Sequence, residues 1–153
     1  MKVEAISSPE GASKVMLVLP YSADVPDALA DHPATGRDGE RVVRIGPRRW
    51  LVLAEHAPAS ELIDAWRVRL AAVTHLALDA SARLVALRVT GAEARRRVAE
   101  QTSSALSSES AMPRTLLGDV PVVVCVRGDD RVDVLVDRSV CHYAREWLER
   151  ALE

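Results

Sequence analysis

At 153 residues, with 48% apolar and 27% charged side chains, the chain is long and apolar enough for one soluble domain with a real core. A formal net charge of −2 excludes a global pull toward nucleic acid or acidic membrane surfaces. No stretch approaches the roughly 20 apolar residues that a membrane-spanning helix needs.

The N-terminus, Met-Lys-Val-Glu-Ala-Ile-Ser-Ser-Pro-Glu, has no apolar core of signal-peptide length. Cys125 and Cys141 form neither a disulfide framework nor a paired zinc motif, so a reduced, cytoplasmic setting is expected. Lysine occurs only at positions 2 and 14 while arginine and alanine abound, a bias expected of a GC-rich, actinobacterial genome.

Residues 13 to 19, an apolar run ending before Pro20, read as a first buried strand. From 22 to 40, Pro26, Pro33, Gly36 and Gly39 break the chain into loops, with one helical turn around Asp27 to Ala30. A hairpin follows over Arg41 to Ala54, turning at Gly46-Pro47-Arg48. Ser60 reads as a cap for a helix reaching Leu70, whose apolar face is Leu62, Ile63, Trp66 and Leu70.

His75–Ala80 and Leu84–Val89 read as a central hairpin around Ser81-Ala82-Arg83, followed past Gly91 by a helix to Gln101 carrying Arg95, Arg96 and Arg97. Residues 102 to 114 are serine-rich and read as a loop. The last hairpin, Val120 to Val136, turns at Gly128-Asp129-Asp130. A helix from Ser139 to Leu152 closes the chain, with Val140, Ala144, Trp147, Leu148 and Ala151 apolar.

Hairpin plus returning helix thus occurs near the start and again at the end. That repetition predicts an α+β fold of antiparallel sheets with helices packed on one face, within a single domain 1–153.

No catalytic constellation is written along these elements. His32, His56, His75 and His142 never recur at helical pair spacing, which disfavours a metal site. His75, Asp79 and Ser81 lack a nucleophile elbow, and an Asp–Ser turn interaction is the expected role of the last two. Trp66 and Trp147 lie on the helices of the two repeats and read as packing residues. Trp50, flanked by Arg48 and Arg49, reads either as core or as a platform for a flat anion or a partner.

Several motifs carry a family resemblance. Ile45-Gly-Pro-Arg-Arg-Trp-Leu-Val-Leu53 resembles the Gly-Pro then Trp-Leu hairpin of heterotetrameric sarcosine oxidase gamma subunits. Leu78-Asp-Ala-Ser81 before Val89-Thr-Gly91, the stretch Pro113 to Val124, and Arg138-Ser139 ahead of a Trp-Leu helix are similar to further parts of that family. The likeness runs from about residue 41 to the end.

Gamma subunits in turn resemble the folate-binding part of glycine-cleavage T-protein and related aminomethyltransferases. Those carry an acidic pair in the strand after the loop glycine. Here Gly118-Asp119-Val120-Pro121-Val122-Val123 has apolar residues instead, with only Asp119 nearby. That departure counts against aminomethyl transfer.

The resemblance implies a non-catalytic accessory or assembly subunit in a flavin- and folate-linked sarcosine (secondary amine) oxidase. The chain would bind no cofactor alone; FAD or FMN, NAD and tetrahydrofolate would sit in the larger complex. Its partners would be larger flavoprotein oxidase subunits, or further copies of itself, with no nucleic acid and no membrane. The alternative is a free-standing small-molecule or one-carbon-transfer enzyme on a T-protein-like fold. Ligand or interface candidates are Arg48, Arg49, Trp50, Asp79, Arg83, Arg114 and Asp119.

Overall fold

The computed structural model describes residues 1–6, 13–30, 34–35, 39–106 and 113–152. In chain order it forms β1 (Lys2–Ile6), β2 (Ser13–Val18), a single turn α1 (Asp27–Ala30), β3 (Ala34–Thr35), β4 (Arg41–Gly46), β5 (Arg49–Ala54) and α2 (Ala59–Arg69). There follow β6 (Leu76–Asp79), β7 (Leu84–Thr90), α3 (Ala94–Glu100), β8 (Arg114–Leu117), β9 (Val120–Val126), β10 (Arg131–Asp137), a 3-10 turn Arg138–Val140 and α4 (Cys141–Ala151). Expectations at His32, Pro33 and Gly36, and in the 107–112 part of the serine-rich stretch, lie outside the described residues.

These elements sort into two compact units, Ser8–Ala82 and Met1–Ser7 with Arg83–Glu153. Each holds one five-stranded sheet, ordered β3-β4-β5-β2-β6 in the first and β1-β7-β10-β9-β8 in the second. Every strand pair is antiparallel. The α+β class with antiparallel sheets is therefore what the chain adopts.

The two sheets have one topology. β2, β3, β4, β5 and β6 occupy the places that β7, β8, β9, β10 and β1 occupy in the other unit. Even the helices match: α2 and α4 each run 11 residues, with Leu62, Trp66 and Leu70 buried at the spacing of Ala144, Leu148 and Leu152. Trp66 thus corresponds to Leu148, and Trp147 lies one position off the core stripe.

The repeat is closed in a circle. In the first unit the edge strand beside β2 follows α2 in the chain, as β6. In the second unit the edge strand beside β7 is β1, supplied by the N-terminus.

This arrangement corrects the central hairpin: β6 and β7 belong to different sheets. Lys14 N donates to Ser81 Oγ at 3.0 Å and Ala80 N to Lys14 O at 2.7 Å, which tie the end of β6 to β2. Two residues later, Arg138 N donates to Arg83 O at 2.8 Å and ties the start of β7 to the end of β10. Two short strands with a polar turn between them mimic a hairpin, and only tertiary bonding separates the cases.

Three smaller corrections follow. β1 and β8 escape the sequence reading because each is short and half polar. Pro58, not Ser60, stands at the N-cap of α2, and no side chain caps that helix. The last helix begins at Cys141 and not at Ser139, which lies in a 3-10 turn where its N–H donates to the capping carboxylate of Asp137.

The helices cover one face of each sheet. α2 closes over Val15, Leu17, Val42, Trp50, Val52 and Ala54 in the first unit. α3 and α4 close over Leu87, Val89, Val124, Val132, Val134 and Val136 in the second. β5 and β10 are buried along nearly their whole length, on both faces, which explains apolar runs without alternation.

Gly118 shows how tightly α4 is seated. Its φ is +56°, and a Cβ there would lie 3.3 Å from Trp147 Cη2. Gly118→Ala should therefore lower stability by about 1–3 kcal/mol, since strained backbone and a displaced indole add. Denaturant unfolding followed by tryptophan fluorescence checks this. A change within experimental error would mean that α4 shifts freely.

Candidate functional site

The Pro47-Arg48 turn joins β4 to β5. Proline presets the first turn residue, and the second must take positive φ, a place that usually selects glycine. Here it is Arg48, at φ +56°. Its guanidinium donates from Nη1 to Ala23 O at 2.5 Å and from Nη2 to Tyr21 O at 3.2 Å. Its carbonyl accepts from Leu19 N at 3.0 Å. The strained residue thus laces the 19–23 segment to the hairpin and holds out Tyr21, which is 79% exposed.

Arg49 and Trp50 then point to opposite sides of β5. Trp50 is 1% exposed and belongs to the apolar core under α2, as the packing alternative expects. Arg49 is exposed, in a cross-strand row with Val18 and Leu76. Arg44, also exposed, bonds the carbonyl of Gly46 at 3.4 Å. The turn is a basic promontory with an exposed tyrosine beside it.

Asp79 ends β6. Its Oδ1 accepts from Ser81 N at 2.9 Å, and the Ser81 backbone and side-chain bonds, with the Lys14 charge, hold its carboxyl below the usual range. Asp79 lies in the row of Val15, so it sits on the opposite sheet face from Arg49. His75, whose Nδ1 is 2.8 Å from Val73 O, is engaged with its own loop.

The remaining candidates belong to the other unit. Arg83 Nε donates to Asp137 Oδ2 at 2.8 Å. Asp137 Oδ1 also accepts from Ser139 N at 3.0 Å and Ser139 Oγ at 2.8 Å. Together these donors pull the Asp137 carboxyl from 3.8 down to about 2. Arg114, on β8, and Asp119, in the β8–β9 turn, are both exposed. β9 and β10 intervene between β8 and β7, and Arg114 lies in the row of Ala86, so Arg83 and Arg114 are three strands and three residues out of register.

The geometry therefore groups Arg48 and Arg49 at one turn, while Asp79 holds its own turn, Arg83 is paired with Asp137, and Arg114 and Asp119 stand exposed on β8 and the turn after it. Sequence reasoning missed the second Asp-x-Ser turn, Asp137-Arg138-Ser139, although it repeats Asp79-Ala80-Ser81 at the end of another strand. It also missed the buried ion group on β7 and β10. There Arg88 grips Asp133 through Nε and Nη2 at 2.7 and 3.0 Å, with Arg127 Nε 3.4 Å away. The available signal was a charge inside each apolar run, Leu87-Arg-Val89 and Val132-Asp-Val134, which burial obliges to pair.

Other arginines are absorbed locally. Arg95 meets Asp129 at 2.8 Å, Arg96 meets Glu93 and Glu100, and Arg69 reaches Glu40 while stacking on Trp66 at 4.9 Å. Among the described residues no group of three or more His, Cys, Asp or Glu side chains converges as metal ligands. No helix among them is long and apolar enough to cross a membrane.

No protein-family model and no curated protein matches the chain. Solved structures do. A chain of the heterotetrameric sarcosine oxidase from Corynebacterium sp. U-96, determined in complex with pyrrole 2-carboxylate, matches with a TM-score of 0.75 at 22% identity. The match covers 97% of this chain and 82% of that one. This protein has the fold of a sarcosine oxidase chain.

The regulatory subunit of aspartate kinase from Thermus thermophilus, in its ligand-free form, is a more distant likeness. Its TM-score is 0.55 at 12% identity, over 100% of this chain and 99% of that one. At 97% coverage of this chain, the likeness to the oxidase chain extends over both units.

Two measurements probe the site. Because αL backbone costs a non-glycine residue about 1–2 kcal/mol, Arg48→Gly should be more stable than Arg48→Ala by about that amount, as both lose the loop tether. Equal stabilities would remove the strain. Asp137, with its pKa depressed in the fold, stabilises above 3.8 and loses that contribution as pH falls to about 2. The stability gap between wild type and Asp137→Asn should be widest near neutrality and close over that window; a gap independent of pH would refute the assignment.

Proposed function

We propose that the chain is an accessory subunit, similar to the gamma subunit, of a flavin-linked sarcosine (secondary amine) oxidase assembly. The observation that carries this reading is the fold match over 97% of this chain and 82% of an oxidase chain. In this reading the chain acts as one gamma-like domain built from the two repeats, and its role is assembly rather than chemistry. Kinship to the T-protein folate-binding domain belongs to the same proposal.

The candidate residues support it in a specific way. Asp79 and Asp137 are anions that accept turn N–H groups, so both are poor proton donors at neutral pH. Arg83 and Arg88 are committed to carboxylates. The basic turn, with exposed Arg49 and Tyr21, is instead composed like a contact surface, where arginine and tyrosine are enriched. Flavin, NAD and tetrahydrofolate would be held by the partner chains, in the cytoplasm.

Co-expression with genomically neighbouring open reading frames, tagged pull-down and mass by size exclusion test the reading. A stoichiometric flavoprotein containing this chain is the expected product. Sarcosine turnover by the isolated chain would overturn it, and would favour the free-standing enzyme.

A further inference from the structure

We infer that the outer edge of β6 is the docking line for an extended strand of a larger oxidase chain. That strand carries apolar side chains at alternate positions and is acidic on the face that Arg49 shares. The inference rests on the subunit reading and names the surface through which it operates.

β6 ends its sheet and pairs only with β2 among the described residues. An edge of this kind offers unpaired backbone groups to another strand. Leu76 and Leu78 lie on one face of it, 52% and 39% exposed. The Leu78 row continues through Met16 to Leu51 and Val43, which are 1% and 5% exposed. Apolar surface therefore runs unbroken from the buried middle of the sheet out to its rim.

The internal repeat supplies the control. In the other unit the same edge position belongs to β1, and the places of Leu76 and Leu78 are taken by Lys2, opposite Thr90, and Glu4, opposite Arg88. Those two form an ion pair with each other. Charged side chains on an edge strand block pairing with other chains. One edge of this duplicated fold is guarded and its counterpart is apolar.

The occupant follows from three chemical demands. Free strand edge calls for extended backbone, two leucines on one face call for apolar residues two apart, and exposed Arg49 in the Leu76 row calls for an anion. A second copy of β6, Leu76-Ala-Leu-Asp79, meets the first two demands and fails the third. Antiparallel extension of the sheet keeps like faces together, and Asp79 lies on the face opposite Arg49 with Ser81 N–H already bonded. A separate acidic-flanked strand meets all three.

The test uses the co-expressed complex and the variant Leu76→Lys/Leu78→Glu, which copies the pattern that β1 tolerates. The variant should keep the wild-type circular dichroism and thermal transition while binding its partner at least about tenfold more weakly. Arg49→Glu should also weaken assembly, and by less as salt is raised. In hydrogen exchange on wild type, amides of residues 76–79 should become protected on complex formation.

Equal assembly by wild type and the double variant, or unchanged exchange at 76–79, overturns the docking line and leaves the subunit reading standing. Wild type that captures no oxidase chain overturns both. Wild-type self-association that the double variant abolishes overturns the assigned occupant in favour of a second copy.

Discussion

The pairing of β7 is the constraint on which the second unit depends. This strand lies between β1 and β10, and its Leu87 and Val89 are wholly buried under the helices. A strand so placed needs neighbours on both edges: β10 supplies one and the N-terminal strand β1 the other. The repeat therefore closes by joining its first strand to its last unit, and the second sheet is completed only when residues 2–6 pair with residues 86–90.

The same closure explains what the amino-acid pattern discloses and what it hides. The hairpins β4–β5 and β9–β10 are legible because turn residues and apolar runs are contiguous, and α2 and α4 because their core positions recur every four residues. Residues 75–89 show equally good hairpin chemistry, yet their halves are claimed by Lys14 on one side and Arg138 on the other. Those bonds span 67 and 55 positions of sequence, and no local signal encodes them. β1 was hidden for a related reason: Lys-Val-Glu-Ala-Ile is too short and too charged to read as a strand without the partner it completes.

The candidate site was legible in part. Arg48 and Arg49 are conspicuous beside Gly46-Pro47, and both stand at the surface of that turn. Trp50, adjacent to them, has the opposite fate because strand alternation sends it inward. What could not be read was commitment. Arg83 looks free in sequence, and its guanidinium is held by Asp137, a residue 54 positions away that also caps the final helix segment.

Commitment also limits the chemistry open to the acidic residues. A carboxylate recruited to cap a turn is stabilised as an anion, so it gives up the raised pKa that general-acid work requires. Asp79 and Asp137 repeat this choice at the ends of β6 and β10. Asp133, clamped by Arg88, spends its charge on holding two neighbouring strands in register. Asp79, Asp133 and Asp137 are thus committed to turns and strand pairing, and so are the arginines that hold two of them, Arg83 and Arg88. Side chains spent in this way hold the architecture, and on the proposed subunit reading the exposed Arg49 and the apolar edge at Leu76 and Leu78 are what the fold leaves for a partner.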